Sequence, residues 1–340
     1  MKKIGLFITV VLVFSLTSAL VSCNDEWKNE QFTHLVGFVS PLNSSTGVTD
    51  IYVPYSRKDS LGHFSKGDGF SDYKLPVVIS GSLNNKQNLI INIAHDSDTL
   101  VILNSARFQR RKDLYYKDMI HYVHFSPQVK INSGDDVGLL DLDFNFKNID
   151  MSNKWVLPLV ISKGDGYSPN LRKNYNNALL RIYPFNDYSG VYSGTMLSTY
   201  LADDTGNGSI VKNNITGYVV NDSTIFFYAG NIDETRTDRK NYKVYASFIG
   251  ENSGMVNFYS DNPDLDFKVN KQASFRVIET MDEVRPYLMH RYVIINNIDY
   301  NFTDYTSVPE YKINYLVKGS LTLERKINTQ IPDEDQAIEW

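Results

Sequence analysis

The stretch Leu140-Asp141-Leu142-Asp143-Phe144-Asn145-Phe146 decides the fold class, because every second side chain in it is apolar. Such alternation is typical of a β-strand with one packed face and one solvated face. Tyrosine (23 residues) and phenylalanine (18 residues) are abundant throughout the chain. Turn-forming residues interrupt the apolar runs at intervals of about 8–12 residues, as an all-β sandwich or barrel requires. We therefore predict an all-β protein.

The predicted strands form two blocks, which we interpret as two domains. The first block, residues 33–183, predicts an immunoglobulin-like sandwich, with a helical or irregular stretch expected near 105–120, where basic residues crowd together. Its predicted strands are 33–40, 49–53, 75–80, 88–94, 99–103, 128–132, 140–146, 154–162 and 178–183. Pro169 and Pro184 interrupt the pattern between Gly166 and Asn186, so the domain boundary is expected there.

The second block, residues 186–340, contains strands joined by short turns. Consecutive strands of this kind predict an antiparallel meander, either open or closed into a lipocalin-like barrel. The predicted strands are 190–199, 209–220, 223–229, 242–249, 254–260, 273–280, 288–299 and 311–325. The residues from Asn301 to Pro309 are predicted to form a long polar loop that carries aromatic side chains.

Residues 1–22 have the layout of a secretory signal, with Lys2 and Lys3 before an apolar run. The following Leu20-Val21-Ser22-Cys23 resembles the lipobox of bacterial lipoproteins, and Cys23 is the single cysteine of the chain. A thiolate is the nucleophile that lipidation requires. We expect lipidation of Cys23 and a tether over residues 23–32. The alternative is an ordinary signal peptide followed by a chance cysteine.

The net charge and the tether predict the location of the mature chain. A net charge of −5 argues against nucleic acid as a partner and against a polybasic contact with lipid, so the expected membrane attachment is the lipid alone. Asn24-Asp25-Glu26 resembles the export signal of Bacteroidota surface lipoproteins. We expect the chain on the outer membrane, facing the cell exterior. The alternative is a solvated acidic linker.

Motifs for catalysis and metal binding give little support to an enzyme. His121 and His124 are three residues apart, which on a strand places them on opposite faces. Neither a nucleophile elbow nor a phosphate-binding glycine loop occurs in the sequence. A glycosidase needs two carboxylates at a suitable separation, and the 39 acidic residues contain no pair that stands out. We expect no catalytic residue, no metal and no cofactor.

Three segments resemble one known family. Lys154-Trp155-Val156-Leu157-Pro158-Leu159 resembles the closing strand of the N-terminal sandwich of Bacteroidota two-domain lipoproteins, Tyr188–Met196 resembles the start of their C-terminal domain, and Asn328–Trp340 resembles its end. Members often accompany SusC/SusD-type glycan importers, where SusE-like surface glycan-binding proteins are found. The resemblance implies a two-domain β architecture and, by association, a polysaccharide or oligosaccharide ligand and a SusC/SusD-type outer-membrane partner.

Aromatic side chains beside polar ones are the residue types that bind neutral sugars. The predicted loop after residue 300 offers both, and loop aromatics have less reason to pack in a core. We therefore predict a ligand-binding face at Tyr300, Asn301, Phe302, Asp304 and Tyr305. Packing in a sheet is the alternative for each aromatic residue. The tryptophans, Trp27, Trp155 and Trp340, lie in the tether, in a closing strand and at the last position, where no binding platform is expected.

The favoured function is non-catalytic binding of surface polysaccharide for a glycan-uptake system. A glycoside hydrolase or lyase is one alternative, and a structural or adhesive envelope protein is another. The triplets Asp59-Ser60-Leu61, Asp98-Thr99-Leu100 and Asp222-Ser223-Thr224 also resemble the O-glycosylation sites of Bacteroidota envelope proteins.

Overall fold

The computed structural model describes residues 34–40, 43, 45–57, 68–206 and 208–340, without the side chains of residues 334 and 335. Cys23 with its tether, and the triplet that contains Ser60, lie outside the described residues. Within those ranges, no helix is long and apolar enough to cross a membrane.

The first domain is built mainly from β-strands. In chain order its strands are β1 (Leu35–Phe38), β2 (Thr49–Pro54), β3 (Phe70–Ser80), β4 (Leu89–His95), β5 (Tyr116–Asp118), β6 (Val123–Phe125), β7 (Gln128–Ile131), β8 (Val137–Asn145), β9 (Lys154–Ile161), β10 (Ser168–Pro169) and β11 (Asn177–Phe185). Helix α1 spans Ser97–Phe108. Short 3-10 turns lie at Lys112–Leu114, Ile120–Tyr122 and Arg172–Asn174.

Two sheets form the sandwich. Among the described strands, one sheet has the order β10-β1-β3-β8-β6, and the other has the order β2-β11-β9-β4-β7 with β5 beside β9. Burial along β8 alternates strictly between exposed and buried residues. Its buried side chains Leu140, Leu142 and Phe144 share one core with Leu157 and Leu159 of the opposite sheet. The alternation predicted from the sequence is therefore confirmed, and the apolar face of β8 contributes to the sandwich core.

The predicted strand at 99–103 is wrong, because these residues belong to helix α1. Asp96 caps the helix: its side chain accepts hydrogen bonds from the Thr99 backbone N–H (3.2 Å) and the Thr99 hydroxyl (2.5 Å). Leu100 is buried, whereas Val101 and Ile102 face solvent. A short apolar run does not distinguish a strand from a helix, and here the Asp96 cap favours the helix.

The second domain is a single large sheet. Its strands are β12 (Gly190–Ser193), β13 (Leu197–Leu201), β14 (Ile210–Val211), β15 (Asn214–Asn221), β16 (Thr224–Tyr228), β17 (Lys243–Gly250), β18 (Ser253–Tyr259), β19 (Lys268–Val269), β20 (Ala273–Met281), β21 (Leu288–Val308), β22 (Tyr311–Asn328) and β23 (Ile338–Glu339). Helix α2 spans Glu334–Ala337, and 3-10 turns lie at Arg239–Tyr242 and Pro263–Leu265.

The sheet closes on itself. Among the described strands, β12, β15, β16, β17, β18, β20, β21 and β22 form an antiparallel ring, because β22 pairs with both β21 and β12. Tyr192, Phe227, Val244, Phe302 and Val317 are buried in the core of this barrel. The prediction of an all-β, two-domain protein is confirmed, and of the two forms left open for the second domain the closed barrel is the one observed.

The predicted loop from Asn301 to Pro309 is wrong, because β21 continues to Val308 and pairs with β22 through Asp304 and again at Val308. The polar side chains in this part of the strand have partners in the fold. Thr303 donates a hydrogen bond from its hydroxyl to Asn314 (2.8 Å), and Asn301 accepts one from Asn270 (2.5 Å). The polar composition therefore reflects bonding between neighbouring strands rather than a loop.

Candidate functional site

Tyr300 and Phe302, two of the predicted ligand-binding residues, point into the barrel core. Phe302 is 1% exposed and lies beside Tyr315, with 5.2 Å between the ring centroids. The hydroxyl of Tyr300 accepts a hydrogen bond from the backbone N–H of Gly230 (3.3 Å). A Cβ atom on Gly230 would lie 2.7 Å from the Phe302 ring, so this glycine makes room for it. Both aromatic rings therefore pack in the barrel core.

Asp304 is also buried, and its carboxylate is fully engaged. It accepts hydrogen bonds from Arg236 (3.0 Å), the Tyr242 hydroxyl (2.8 Å) and the Ser307 hydroxyl (2.5 Å). Burial alone would raise the pKa of Asp304, but the Arg236 and Ser307 hydrogen bonds outweigh it and hold the pKa well below its usual range. The residue thus fixes the turn at Arg239–Tyr242 against the end of β21.

Tyr305 is half-buried, and its hydroxyl accepts a hydrogen bond from the Asn262 side chain (2.9 Å). Asn301 is half-buried as well. The structure therefore brings Asp304 and Tyr305 together around Tyr242, and Tyr242 shares its core with the buried Tyr300 and Phe302. The role of these residues in ligand binding stays a prediction, now without the exposed loop that motivated it.

Basic side chains of the barrel hold the two domains together. The buried Arg239 donates hydrogen bonds to the backbone carbonyls of Ser152 (3.1 Å) and Asp113 (3.4 Å) in the sandwich. Lys243 lies 2.6 Å from Asp150, and Lys240 donates to the Asn153 side chain (2.8 Å). Because carbonyls and a carboxylate of one domain receive cations of the other, the relative position of the domains is well defined.

Asp150 is the carboxylate at the centre of this contact. Burial opposes its ionisation, but hydrogen bonds from Lys243 and Ser152 outweigh that effect and lower its pKa to about 2. Asp150 therefore remains charged at neutral pH. A carboxylate whose pKa is lowered by folding adds stability above the pKa of the unfolded chain, and that stability is lost as the pH falls from about 4 towards 2.

A groove with an aromatic wall lies between the domains; we call it the interdomain groove. Tyr52 of β2 and Tyr183 of β11 are paired directly across the two parallel strands. Their rings stack with 5.2 Å between the ring centroids. Trp340 stacks on Tyr52 at 4.0 Å with the ring planes within 5°. Pairing of β23 with β22 holds the backbone beside Trp340 in place. Trp340 is 49% exposed, and Phe185 also lies against its indole, with 4.8 Å between the ring centroids.

Polar groups surround this aromatic wall. The Arg181 guanidinium lies 4.5 Å from the Tyr183 ring centroid. Within the described residues the Nε of Arg181 is buried and has no hydrogen-bond partner, and buried donors normally have one. The barrel side of the groove carries Tyr218, Glu234 and Glu324. The cavity measures about 360 Å³, within the range of small-molecule sites.

Tyrosine hydroxyls along the groove remain protonated at neutral pH. Burial raises the pKa of Tyr183 far above its ordinary value. Burial raises the pKa of Tyr218 as well, and the negative charge of Glu234 adds to that shift. Arg181 and Arg325 supply positive charge, and Glu234, Glu324 and Glu339 supply acceptors. Aromatic surface with fixed donors and acceptors is suited to a polyhydroxylated ligand with apolar C–H faces.

Sequence reasoning missed this groove. Tyr52 and Tyr183 belong to strands that are far apart in the chain, and Trp340 was expected to lie away from any platform. One available signal was the pattern Arg181-x-Tyr183, which places a cation and an aromatic ring on the same face of a strand.

Two of the three predicted O-glycosylation triplets lie within the described residues, and their environments differ. Ser223 is exposed in the turn between β15 and β16. The hydroxyl of Thr99 is engaged with Asp96 in the cap of α1. Modification of either residue stays a prediction.

Family comparisons cover both domains. A domain of unknown function, DUF4973, matches residues 27–165, and the model of a C-terminal domain family matches residues 176–322. Comparison with curated proteins gives no match.

Several solved structures from Bacteroides resemble this chain over both domains. An auxiliary nutrient binding protein from Bacteroides thetaiotaomicron is 49% identical, with a TM-score of 0.80, and the match covers 87% of this chain and 96% of that one. A multidomain protein that includes DUF1735, from Bacteroides ovatus, is 39% identical, with a TM-score of 0.78, over 90% of this chain and 99% of that one. A Bacteroides ovatus protein of unknown function is 41% identical, with a TM-score of 0.79, over 90% of this chain and 100% of that one. With the sandwich, the barrel and both family models in agreement, the chain belongs to the Bacteroidota family of two-domain proteins in which a DUF4973 domain precedes this C-terminal domain.

Proposed function

We propose that this chain is a non-catalytic carbohydrate-binding protein, which holds polysaccharide at the cell surface for a glycan-uptake system. The observation that carries the proposal is the column of stacked rings formed by Trp340, Tyr52 and Tyr183 in the interdomain groove. Aromatic rings bind the C–H faces of sugars, while Arg181 and the surrounding glutamates suit the hydroxyl groups. The cationic contacts between the domains hold both walls of the groove in place.

The relatives support a binding role. The Bacteroides thetaiotaomicron relative is described as an auxiliary nutrient binding protein, and its similarity extends over both domains. Neither that description nor the groove points to bond cleavage. An aromatic surface flanked by hydrogen-bonding side chains supports a carbohydrate as the nutrient of this chain.

We predict that Trp340→Ala weakens carbohydrate binding by about 1–3 kcal/mol, the usual cost of removing an aromatic anchor. Affinity gel electrophoresis would measure the retardation of the wild-type protein and the variant. The gels would contain yeast α-mannan, amylopectin, galactomannan, arabinoxylan, polygalacturonate or chondroitin sulfate. The wild-type protein should be retarded by at least one polysaccharide, and the variant by much less.

Tyr311→Ala is the matched control, because Tyr311 is 63% exposed on the barrel and lies outside the groove. Its retardation should equal that of the wild-type protein. Both variants should melt as single folded species, since Tyr311 is 63% exposed and Trp340 is about half exposed. If none of the six polysaccharides retards the wild-type protein, or if both variants lose retardation equally, the proposed function is wrong.

The surface location rests on the sequence. We propose that Cys23 carries the lipid and that the chain works beside a SusC/SusD-type outer-membrane complex. The acidic residues that follow Cys23 favour display on the cell exterior. Cys23→Ala is expected to move the protein out of the membrane fraction, as measured by fractionation and immunoblotting. A variant that stays in the membrane contradicts the anchor, and wild-type protein that resists protease on intact cells contradicts the outward orientation.

A further inference from the structure

A row of four aromatic side chains crosses the outer wall of the barrel. Tyr218 of β15 pairs with Phe226 of β16, Phe226 pairs with Tyr245 of β17, and Tyr245 pairs with Tyr259 of β18. The Tyr218 and Phe226 rings stack at 5.0 Å, and so do the rings of Tyr245 and Tyr259. The row begins in the interdomain groove at Tyr218, passes the buried Phe226 and ends at Tyr259, which is 41% exposed.

Two further hollows follow this row: one lies in the seam between the domains, and the other lies on the barrel beside that seam. A polar cleft of about 530 Å³ lies next to the interdomain groove, and both are lined by Met151 and Val219. A hollow of about 330 Å³ comes next, and it shares Lys243 and Tyr245 with the cleft. Each hollow alone has the volume of a small-molecule site. Because neighbouring hollows share lining residues, the three lie one after another.

Charges along the two outer hollows are balanced. Among the described residues that line them, three lysines accompany three aspartates: Lys147, Lys240, Lys243, Asp68, Asp150 and Asp261. Two of these lysines already pair with Asp150. Burial, together with the nearby Asp261, raises the pKa of Tyr245 to about 12, so its hydroxyl remains neutral. A surface without excess positive charge gives no electrostatic preference for a sulfated or uronic-acid chain.

We infer that the chain binds an extended, neutral oligosaccharide rather than a single sugar. The ligand runs along the seam from the interdomain groove to an outer subsite at Tyr245 and Tyr259. This inference rests on the proposed carbohydrate-binding function and names its ligand class. Several sugars of one chain then contact several subsites, so each added contact lowers the dissociation constant until the seam is filled.

Chain length is the variable that tests this inference. Fragments of two, four and eight sugars would be prepared from each of the four neutral polysaccharides and titrated calorimetrically, alongside polygalacturonate and chondroitin sulfate. The eight-sugar fragment of at least one neutral polysaccharide should bind about tenfold or more tightly than its two-sugar fragment. Equal affinity for two and eight sugars overturns the extended site. Tighter binding of either anionic polymer than of every neutral one overturns the neutral ligand class. In both cases the proposed carbohydrate binding still stands, whereas binding of no polysaccharide contradicts both.

Tyr259→Ala locates the outer subsite. It should weaken binding of the eight-sugar fragment about tenfold and leave binding of the two-sugar fragment unchanged. Tyr311→Ala, which removes another exposed tyrosine of the barrel, should change neither. If both fragments lose affinity equally, or if neither loses affinity, Tyr259 is not an outer subsite. Either result would overturn this path for the ligand.

Discussion

Phe302→Ala is expected to lower the free energy of unfolding by about 3–5 kcal/mol, as measured by urea denaturation. Phe302 is 1% exposed, and its ring fills the space beside Tyr315 and Gly230. Removal of the ring leaves a cavity between strands of a closed barrel, which has little freedom to collapse around it. If the variant remains folded, its affinity for carbohydrate should be unchanged, because the ring lies outside the seam.

The control for this prediction is Tyr311→Ala, which removes an exposed aromatic ring of the same β21–β22 hairpin. Its effect on stability should be within about 0.5 kcal/mol. A Phe302→Ala protein that is as stable as the wild type and has lost carbohydrate affinity would support the binding face predicted from the sequence and contradict the packing described here.

Arg239→Ala is expected to loosen the contact between the domains and to lower stability by about 3 kcal/mol. The buried guanidinium donates to the carbonyls of Ser152, Asp113 and Arg236, which would all lose this donor. Calorimetry should then resolve two unfolding transitions in place of one. Limited proteolysis should cut sooner near the connection between Phe185 and Gly190.

Lys240→Ala provides the matched comparison, because Lys240 is exposed in the same 3-10 turn and contacts Asn153 and Asp150 at the surface. Its cost should be at most about 1 kcal/mol. Arg239→Lys keeps the positive charge but lacks the planar set of guanidinium donors. We therefore expect a loss of stability between those of Arg239→Ala and the wild type. A single, unshifted transition for Arg239→Ala would show that other contacts hold the domains together.

Local sequence patterns predicted strands correctly where one face of the strand is exposed to solvent. The alternation in β8 and the short turns of the second domain each have a direct structural counterpart. The prediction of a strand at 99–103 failed because the apolar run of four residues from Leu100 to Leu103 suits both a strand and a helix. The decisive signal was the cap at Asp96 just before it.

The site was harder to predict than the fold. Asn301 and Asp304 indicated a loop because their partners, Asn270 and Arg236, come from other parts of the chain. Trp340 was set aside for its position in the sequence, yet the pairing of β23 with β22 brings it to Tyr52. A binding surface assembled from distant strands leaves no local periodicity for sequence analysis to detect.

Isothermal titration of the wild-type, Trp340→Ala and Phe302→Ala proteins against the same eight-sugar fragment tests most directly whether the seam is the binding surface. We predict that folded Phe302→Ala protein binds with the affinity of the wild type. Trp340→Ala should lose about 1–3 kcal/mol of binding free energy. Unchanged affinity in folded Trp340→Ala, together with lost affinity in folded Phe302→Ala, would contradict a carbohydrate site in the seam.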